Sequence, residues 1–256
     1  MSHTPNPTAA LVVIGDEILS GRTKDVNIGT VADFCTDLAI DLSEVRVVPD
    51  IEAEIVAAVN AVRARYTYVF TTGGIGPTHD DITADAIAKA FGVALPINAE
   101  ARAMLEERWR ERGVEVNEAR LRMARIPEGA SLIVNSVSAA PGFRIGNVHV
   151  MAGVPKIMQA MLEAIAPTLA GGRKVLSLTI KCRVGEGTIG TPFGALQAQF
   201  PDVKMGSYPR MGDGTPSTDL VLRSPDEARL RDAAAAVFAM VAAAHHNAGL
   251  PDPDPY

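Results

Sequence analysis

Apolar residues along this chain fall into two rhythms. Continuous runs at residues 9–14, 45–48 and 66–72 have the length and β-branched content of strands buried on both faces. Between them Ile28, Val31, Ala32, Cys35 and Leu38, and then Ile51, Ile55, Val56, Val59 and Val62, recur at helical spacing. Successive strand-then-helix units predict a doubly wound, mainly parallel sheet.

The pattern continues with helices at 82–91 and 99–112, the second rich in Glu/Arg pairs, and with short strands at 132–134, 143–145 and 148–151. Val154, Ile157, Met158, Met161, Leu162, Ile165 and Leu169 make the most regular amphipathic helix, with Pro155 in its first turn and Gly171-Gly172 at its end. That double glycine is the expected boundary. Beyond it strands at 175–182, 203–206 and 220–223 surround a helix at 189–200. Ser224-Pro225-Asp226-Glu227 reads as a capping box for a last helix through Val237, Phe238 and Val241, with His245 and His246 at its frayed end. The expected organisation is an α/β domain over 9–170, a small α+β subdomain over 173–246, and flexible termini at 1–8 and 247–256.

Bulk properties narrow the function. A net charge of −6 with no dense Lys/Arg block argues against a broad nucleic-acid surface. No apolar run approaches the length that spans a bilayer, so no membrane partner is expected. The two cysteines, Cys35 and Cys182, sit in apolar patterns without a partner at metal-ligand spacing, as buried thiols of a reducing compartment do. A cytoplasmic location is expected.

The candidate chemistry concentrates at residues 68–83, where a strand runs into Thr72-Gly73-Gly74-Ile75-Gly76-Pro77-Thr78 and then His79-Asp80-Asp81-Ile82-Thr83. Glycines let backbone N–H groups approach an anion, while adjacent carboxylates repel one unless a cation stands between. The segment therefore suggests a phosphorylated ligand and a divalent metal. Loops at the carboxyl ends of parallel strands converge, which brings Gly15-Asp16-Glu17 and Asp50 into the same crevice. Local pattern leaves open whether Asp50 and Asp81 act on a ligand or cap the helices that follow them. Asp80 cannot cap the same helix as Asp81 equally well, so the doublet exceeds what capping requires. His79, beside the doublet, is a candidate metal ligand or proton donor to a leaving phosphate, and His149, flanked by valines, reads as structural. No serine sits in a nucleophile elbow, and the loop lacks the Lys-Ser/Thr of a P-loop.

The glycine–aspartate segment, together with Val13-Ile14-Gly15-Asp16-Glu17-Ile18-Leu19-Ser20-Gly21, resembles the molybdopterin-binding-like (MoaB/Mog) superfamily. Val47-Val48-Pro49-Asp50, Ala140-Pro141-Gly142-Phe143, Gly153-Val154-Pro155 and Gly206-Ser207-Tyr208-Pro209 extend the resemblance, which is strongest to the branch of the CinA and FAD synthase N-terminal domains. It implies a three-layer α/β/α domain, binding of molybdopterin or a nucleotide at the glycine loop, and a homo-oligomer. It carries critical roles to Asp50 and Asp81, and ligand contacts to Gly15, Glu17, Ser20, Gly21, Thr72, Gly73, Gly74, Gly76, Pro77, Thr78, Thr83, Gly153 and Pro155. Asp50, Asp80 and Asp81 are the expected catalytic and metal-binding set, for Mg²⁺ or a similar divalent ion.

Two activities are known in the superfamily: adenylyl transfer to molybdopterin, and metal-dependent hydrolysis of pyrophosphates such as ADP-ribose or FAD. Ile75, where the adenylyltransferases usually have threonine, favours hydrolysis. The deamidase and adenylyltransferase domains of full-length CinA and FAD synthase have no counterpart in this sequence, so a stand-alone hydrolase is expected. A non-catalytic nucleotide- or pterin-binding regulator is the reading from another class.

Overall fold

The computed structural model describes residues 6–210 and 217–256; residues 1–5 of the expected flexible N-terminus lie outside this range. The chain divides into two compact units, Met1–Gly172 and Arg173–Tyr256. In the first unit the elements run β1 (Thr8–Ile14), α1 (Asp16–Leu19), α2 (Asn27–Asp37), β2 (Asp41–Val48), α3 (Glu52–Arg63), β3 (Tyr68–Thr72) and α4 (Thr83–Phe91). They continue with α5 (Ala99–Glu111), α6 (Glu118–Leu121), β4 (Ser131–Ile133), β5 (Gly142–Ile145), β6 (Val148–Met151) and α7 (Pro155–Ile165).

The strands form one sheet in the order β2-β1-β3-β6-β5-β4. The first four are mutually parallel, and β5 runs antiparallel to both β6 and β4. Alternation along β1 explains why the sheet is covered twice. Ala10, Val12 and Ile14 pack with Ile55 and Val59 of α3, Ile87 of α4 and Leu105 of α5, while Ala9, Leu11 and Val13 pack with Val31 and Cys35 of α2 and Met158 and Met161 of α7. The chain is thus an α/β protein whose helices flank a mainly parallel sheet. β2 begins at Asp41, four residues before the apolar run announces it. It pairs only with β1, and an edge strand tolerates the polar Asp41, Ser43 and Glu44.

The second unit contains β7 (Leu176–Cys182), α8 (Glu186–Gln199), β8 (Lys204–Arg210), β9 (Ser217–Ser224) and α9 (Glu227–Asn247). β9 lies between β7 and β8, antiparallel to both. Ile180, Leu220 and Leu222 from the sheet share a core with Ile189 and Phe193 of α8 and Leu230, Val237 and Val241 of α9.

Three details differ from the sequence reading. Asp226, not Ser224, caps α9, its carboxylate accepting the Arg229 N–H at 3.1 Å; the Ser224 hydroxyl instead accepts the Asp226 N–H. His245 is not in a frayed end: it is buried, with Nε2 accepting the Arg183 N–H at 2.9 Å and Nδ1 lying 2.7 Å from the Pro251 carbonyl. The tail expected to be flexible lies back on the unit, with Pro253 buried and the rings of Tyr256 and Phe238 5.5 Å apart. Each unit contains one free cysteine, Cys35 and Cys182, both buried as expected. Burial pushes the Cys35 thiol up to about 12 and raises that of Cys182 as well.

Candidate functional site

Strand order reverses at β1, whose following segments lead to β2 on one side and, later, to β3 on the other. Loops leaving β1 and β3 therefore part above the sheet, and a crevice opens at the carboxyl ends. A cavity of about 510 Å³ occupies it. Its walls come from Gly15 and Glu17 after β1, Asp50 after β2, the loop of Gly73, Gly74, Ile75, Gly76, Pro77, Asp80 and Asp81 after β3, and Ala152, Gly153 and Val154 after β6.

Local hydrogen bonding resolves the capping question. α3 is capped at Ile51 without a side-chain bond, and Asp50 reaches across to accept the Asp16 N–H at 2.9 Å. α4 likewise lacks a side-chain cap at Ile82. The Asp81 carboxylate accepts the Thr78 N–H at 2.8 Å and the Thr78 hydroxyl, closing the loop on itself. Neither aspartate caps the helix that follows it.

The glycines have tighter causes than anion approach alone. Gly73 has φ +104°, and a β-carbon there would lie 2.1 Å from the Ile14 carbonyl oxygen; Gly74 has φ +66° and would meet Thr83 Oγ1 at 2.2 Å. At Gly15 and Gly76 a β-carbon would lie 2.6 Å from the carboxylates of Glu17 and Asp81, which fold over those residues. The Gly73 N–H is bonded to Met151 O at 3.1 Å, continuing the β3–β6 ladder. The N–H groups of Gly74, Ile75 and Gly76 have no partner among the described residues, so the free amides begin one residue later than the glycine pattern suggests.

Of the other residues expected at the site, Thr83 is buried and holds the loop, its hydroxyl donating to Gly73 O at 2.9 Å and its N–H to Gly74 O at 3.0 Å. Thr78 faces Asp81, as above. Thr72 and Pro155 line a smaller recess beside the cavity. Ser20 and Gly21 close the short α1, the Ser20 hydroxyl donating to Glu17 O, and do not line the cavity. His79 is exposed and is absent from the wall. Lining residues that were not expected at the site are Met123, Ser138, Ala152 and Ile157, the last read only as part of a helix face. Ser138 stands two residues before the Ala140-Pro141-Gly142 motif, which was the available signal.

Electrostatics single out Asp50. Burial holds its carboxyl above the usual range; the nearby carboxylates of Asp16, Glu17 and Asp80 add to this, against a lowering by the Asp16 N–H. Asp80 moves the other way, lowered by the Thr78 hydroxyl and its own backbone N–H. Among the described residues no three His, Cys, Asp or Glu side chains converge as a ready-made metal cluster. The donors present are hard oxygens, and Mg²⁺ is usually bound by one or two carboxylates plus substrate phosphate oxygens, so the set fits such an ion completed by its ligand.

Residues 10–171 match the family model described as a probable molybdopterin binding domain. The chain belongs to this family. Residues 174–248 match the middle domain of FAD synthase. A relative of this molybdopterin-binding-family chain in Pyrobaculum calidifontis is 38% identical over 171 residues, 65% of this chain and 65% of its own length. One in Aeropyrum pernix is 37% identical over 169 residues, 64% of this chain and 63% of its own. The match thus spans just under two thirds of these relatives. The crystal structure of CinA from Thermoplasma acidophilum, a protein described as of unknown function, superposes with a TM-score of 0.59 at 34% identity, covering 64% of this chain and 99% of that one. Among the described residues no helix is long and apolar enough to cross a membrane.

Proposed function

We propose that this molybdopterin-binding-family protein hydrolyses a nucleotide pyrophosphate of the ADP-ribose or FAD kind, with a divalent ion. The observation that carries this reading is the meeting of free loop amides and crowded carboxylates in one cavity. The N–H groups of Gly74, Ile75 and Gly76 orient the pyrophosphate and stabilise the negative charge that grows on the departing phosphate. Asp50 and Asp80 would hold the ion, while Asp81 keeps the loop closed through Thr78 and has one carboxylate oxygen left for it. When bound, the ion neutralises this charge and activates water. Water adds through its oxygen to one phosphorus as the bridging P–O bond breaks; the departing phosphate keeps that electron pair, the water's proton passes to solvent, and the two phosphates leave as separate products.

A metal-by-substrate screen tests the reading, with ADP-ribose, FAD, NAD, and ATP with molybdopterin, and products identified by mass spectrometry. Metal-dependent release of AMP from ADP-ribose or FAD is expected. Adenylyl-molybdopterin formed in its place assigns the cavity to transfer, and binding without turnover assigns it to ligand sensing. Full turnover in chelator-treated protein overturns the metal role.

A further inference from the structure

Beside the main cavity, and sharing Ile14, Glu17 and Gly153 with its wall, lies a recess of about 70 Å³ lined also by Thr72, Asn27 and Lys24. A single buried water needs roughly 10–15 Å³ of such space, so the recess admits a larger polar group. Two of its side chains are more than nine-tenths buried with a polar atom unpartnered: Asn27, 5% exposed, leaves Oδ1 without a hydrogen bond, and Thr72, 1% exposed, leaves Oγ1 without one. Buried polar atoms are rarely left so. The Asn27 amide is not free to turn round, because Nδ2 donates to Gly153 O at 2.8 Å. Oδ1 therefore requires a donor from outside the protein, and the Thr72 hydroxyl accepts or donates as its partner demands.

Position narrows the class of group. Thr72 is the last residue of β3, immediately before Gly73, so whatever bonds to it lies within a sugar's reach of the free amides at Gly74–Gly76. The Glu17 carboxylate, on the wall common to both spaces, adds a second acceptor. An amide oxygen, a carboxylate and a hydroxyl beside a phosphate cradle suit the vicinal hydroxyls of a ribose. The geometry points to a ribose-hydroxyl subsite formed by Asn27, Thr72 and Glu17, which selects ribonucleotide pyrophosphates. This rests on the proposed nucleotide-binding reading and names the part of the ligand that it recognises.

Calorimetry on the full chain with Mg²⁺ tests it, using inorganic pyrophosphate, ADP, 2′-deoxy-ADP and 3′-deoxy-ADP as probes. ADP is expected to bind about five- to tenfold more tightly than at least one deoxy analogue, the worth of one or two hydrogen bonds. Thr72→Val removes an unpartnered hydroxyl at nearly constant shape. It should leave melting temperature and pyrophosphate affinity unchanged while abolishing that preference. Equal affinities for ADP and both deoxy analogues overturn the subsite, with water alone left to satisfy the two atoms, and so does a preference that survives in Thr72→Val. Pyrophosphate binding without ribose discrimination leaves the phosphate cradle standing and rejects only the subsite. Binding of none of the probes overturns both readings.

Discussion

At the scale of single residues, Asp50 bears a cost that the proposed chemistry would explain. Its folded-state carboxyl is raised, so the folded protein holds the proton to higher pH than the unfolded chain does. Ionisation at neutral pH therefore works against folding, and that penalty fades as pH falls through the folded value. Asp50→Asn keeps an acceptor for the Asp16 N–H and removes the charge. The expected outcome is a melting temperature at pH 7 equal to or above the parent's, with turnover lower by roughly two orders of magnitude; a large stability loss with normal turnover would restore a purely structural role. His149 carries the opposite dependence. It is fully buried on β6, neither ring nitrogen meets a partner in bonding geometry, and burial, with Arg144 adding, lowers it to about 4 against backbone groups of Val69 and Asn147 that offset part of the shift. The unfolded chain takes that proton near pH 6.5, so stability is complete above 6.5 and is lost as pH falls towards 4, by about 3 kcal/mol from this group. His149→Leu should flatten the denaturant midpoint between pH 6.5 and 4.5. The glycine loop and its aspartates were legible because their spacing is chemical. The reason for Gly73 and Gly74 was not, since contacts with Ile14 and Thr83 exist only once the chain has folded.

At the scale of elements, legibility followed length. β1, β3, α3 and α7 are long and apolar enough to declare their period, and the structure places them within a residue or two of expectation at most bounds. α1 and α6 are single turns of four residues, too short to show any period, and the start of β2 is hidden by the polarity of an edge. α8 begins at Glu186, three residues before the helix expected at 189–200, and it forms although Gly187, Gly190, Pro192 and Gly194 argue against a helix. Ile189 and Phe193, buried in the core of the second unit, hold it in place. All three glycines are exposed, with nothing within 4 Å of the point a β-carbon would occupy and no positive φ. Gly194→Ala and Gly187→Ala should each stabilise the protein by about 0.5–1 kcal/mol in denaturant titrations. No gain from either would mean that the exposed face of α8 is constrained in solution by something other than its own backbone.

At the scale of the whole molecule, the cavity draws every one of its lining residues from positions 14–157, within the first unit. The cores of the two units are likewise made of different residues. A fragment of residues 1–172 should therefore melt cooperatively and bind Mg-pyrophosphate with the affinity of the full chain; an unfolded or non-binding fragment would show that the second unit is required. The parallel sheet and its switch point could be anticipated from the order of elements. How much of the cavity wall comes from Met123 and Ser138 could not, because Met123 sits in a three-residue 3-10 turn and Ser138 outside any helix or strand, neither with a sequence period of its own. The buried thiols give the division into units a practical use. Only a thiolate reacts with an alkylating reagent, and Cys35 and Cys182, each 1% exposed with a raised pKa, become reactive only when their own unit opens. Alkylation timed by mass spectrometry thus reads two opening clocks from one unmodified chain, and saturating Mg-pyrophosphate should slow the clock at Cys35 while that at Cys182 runs on unchanged.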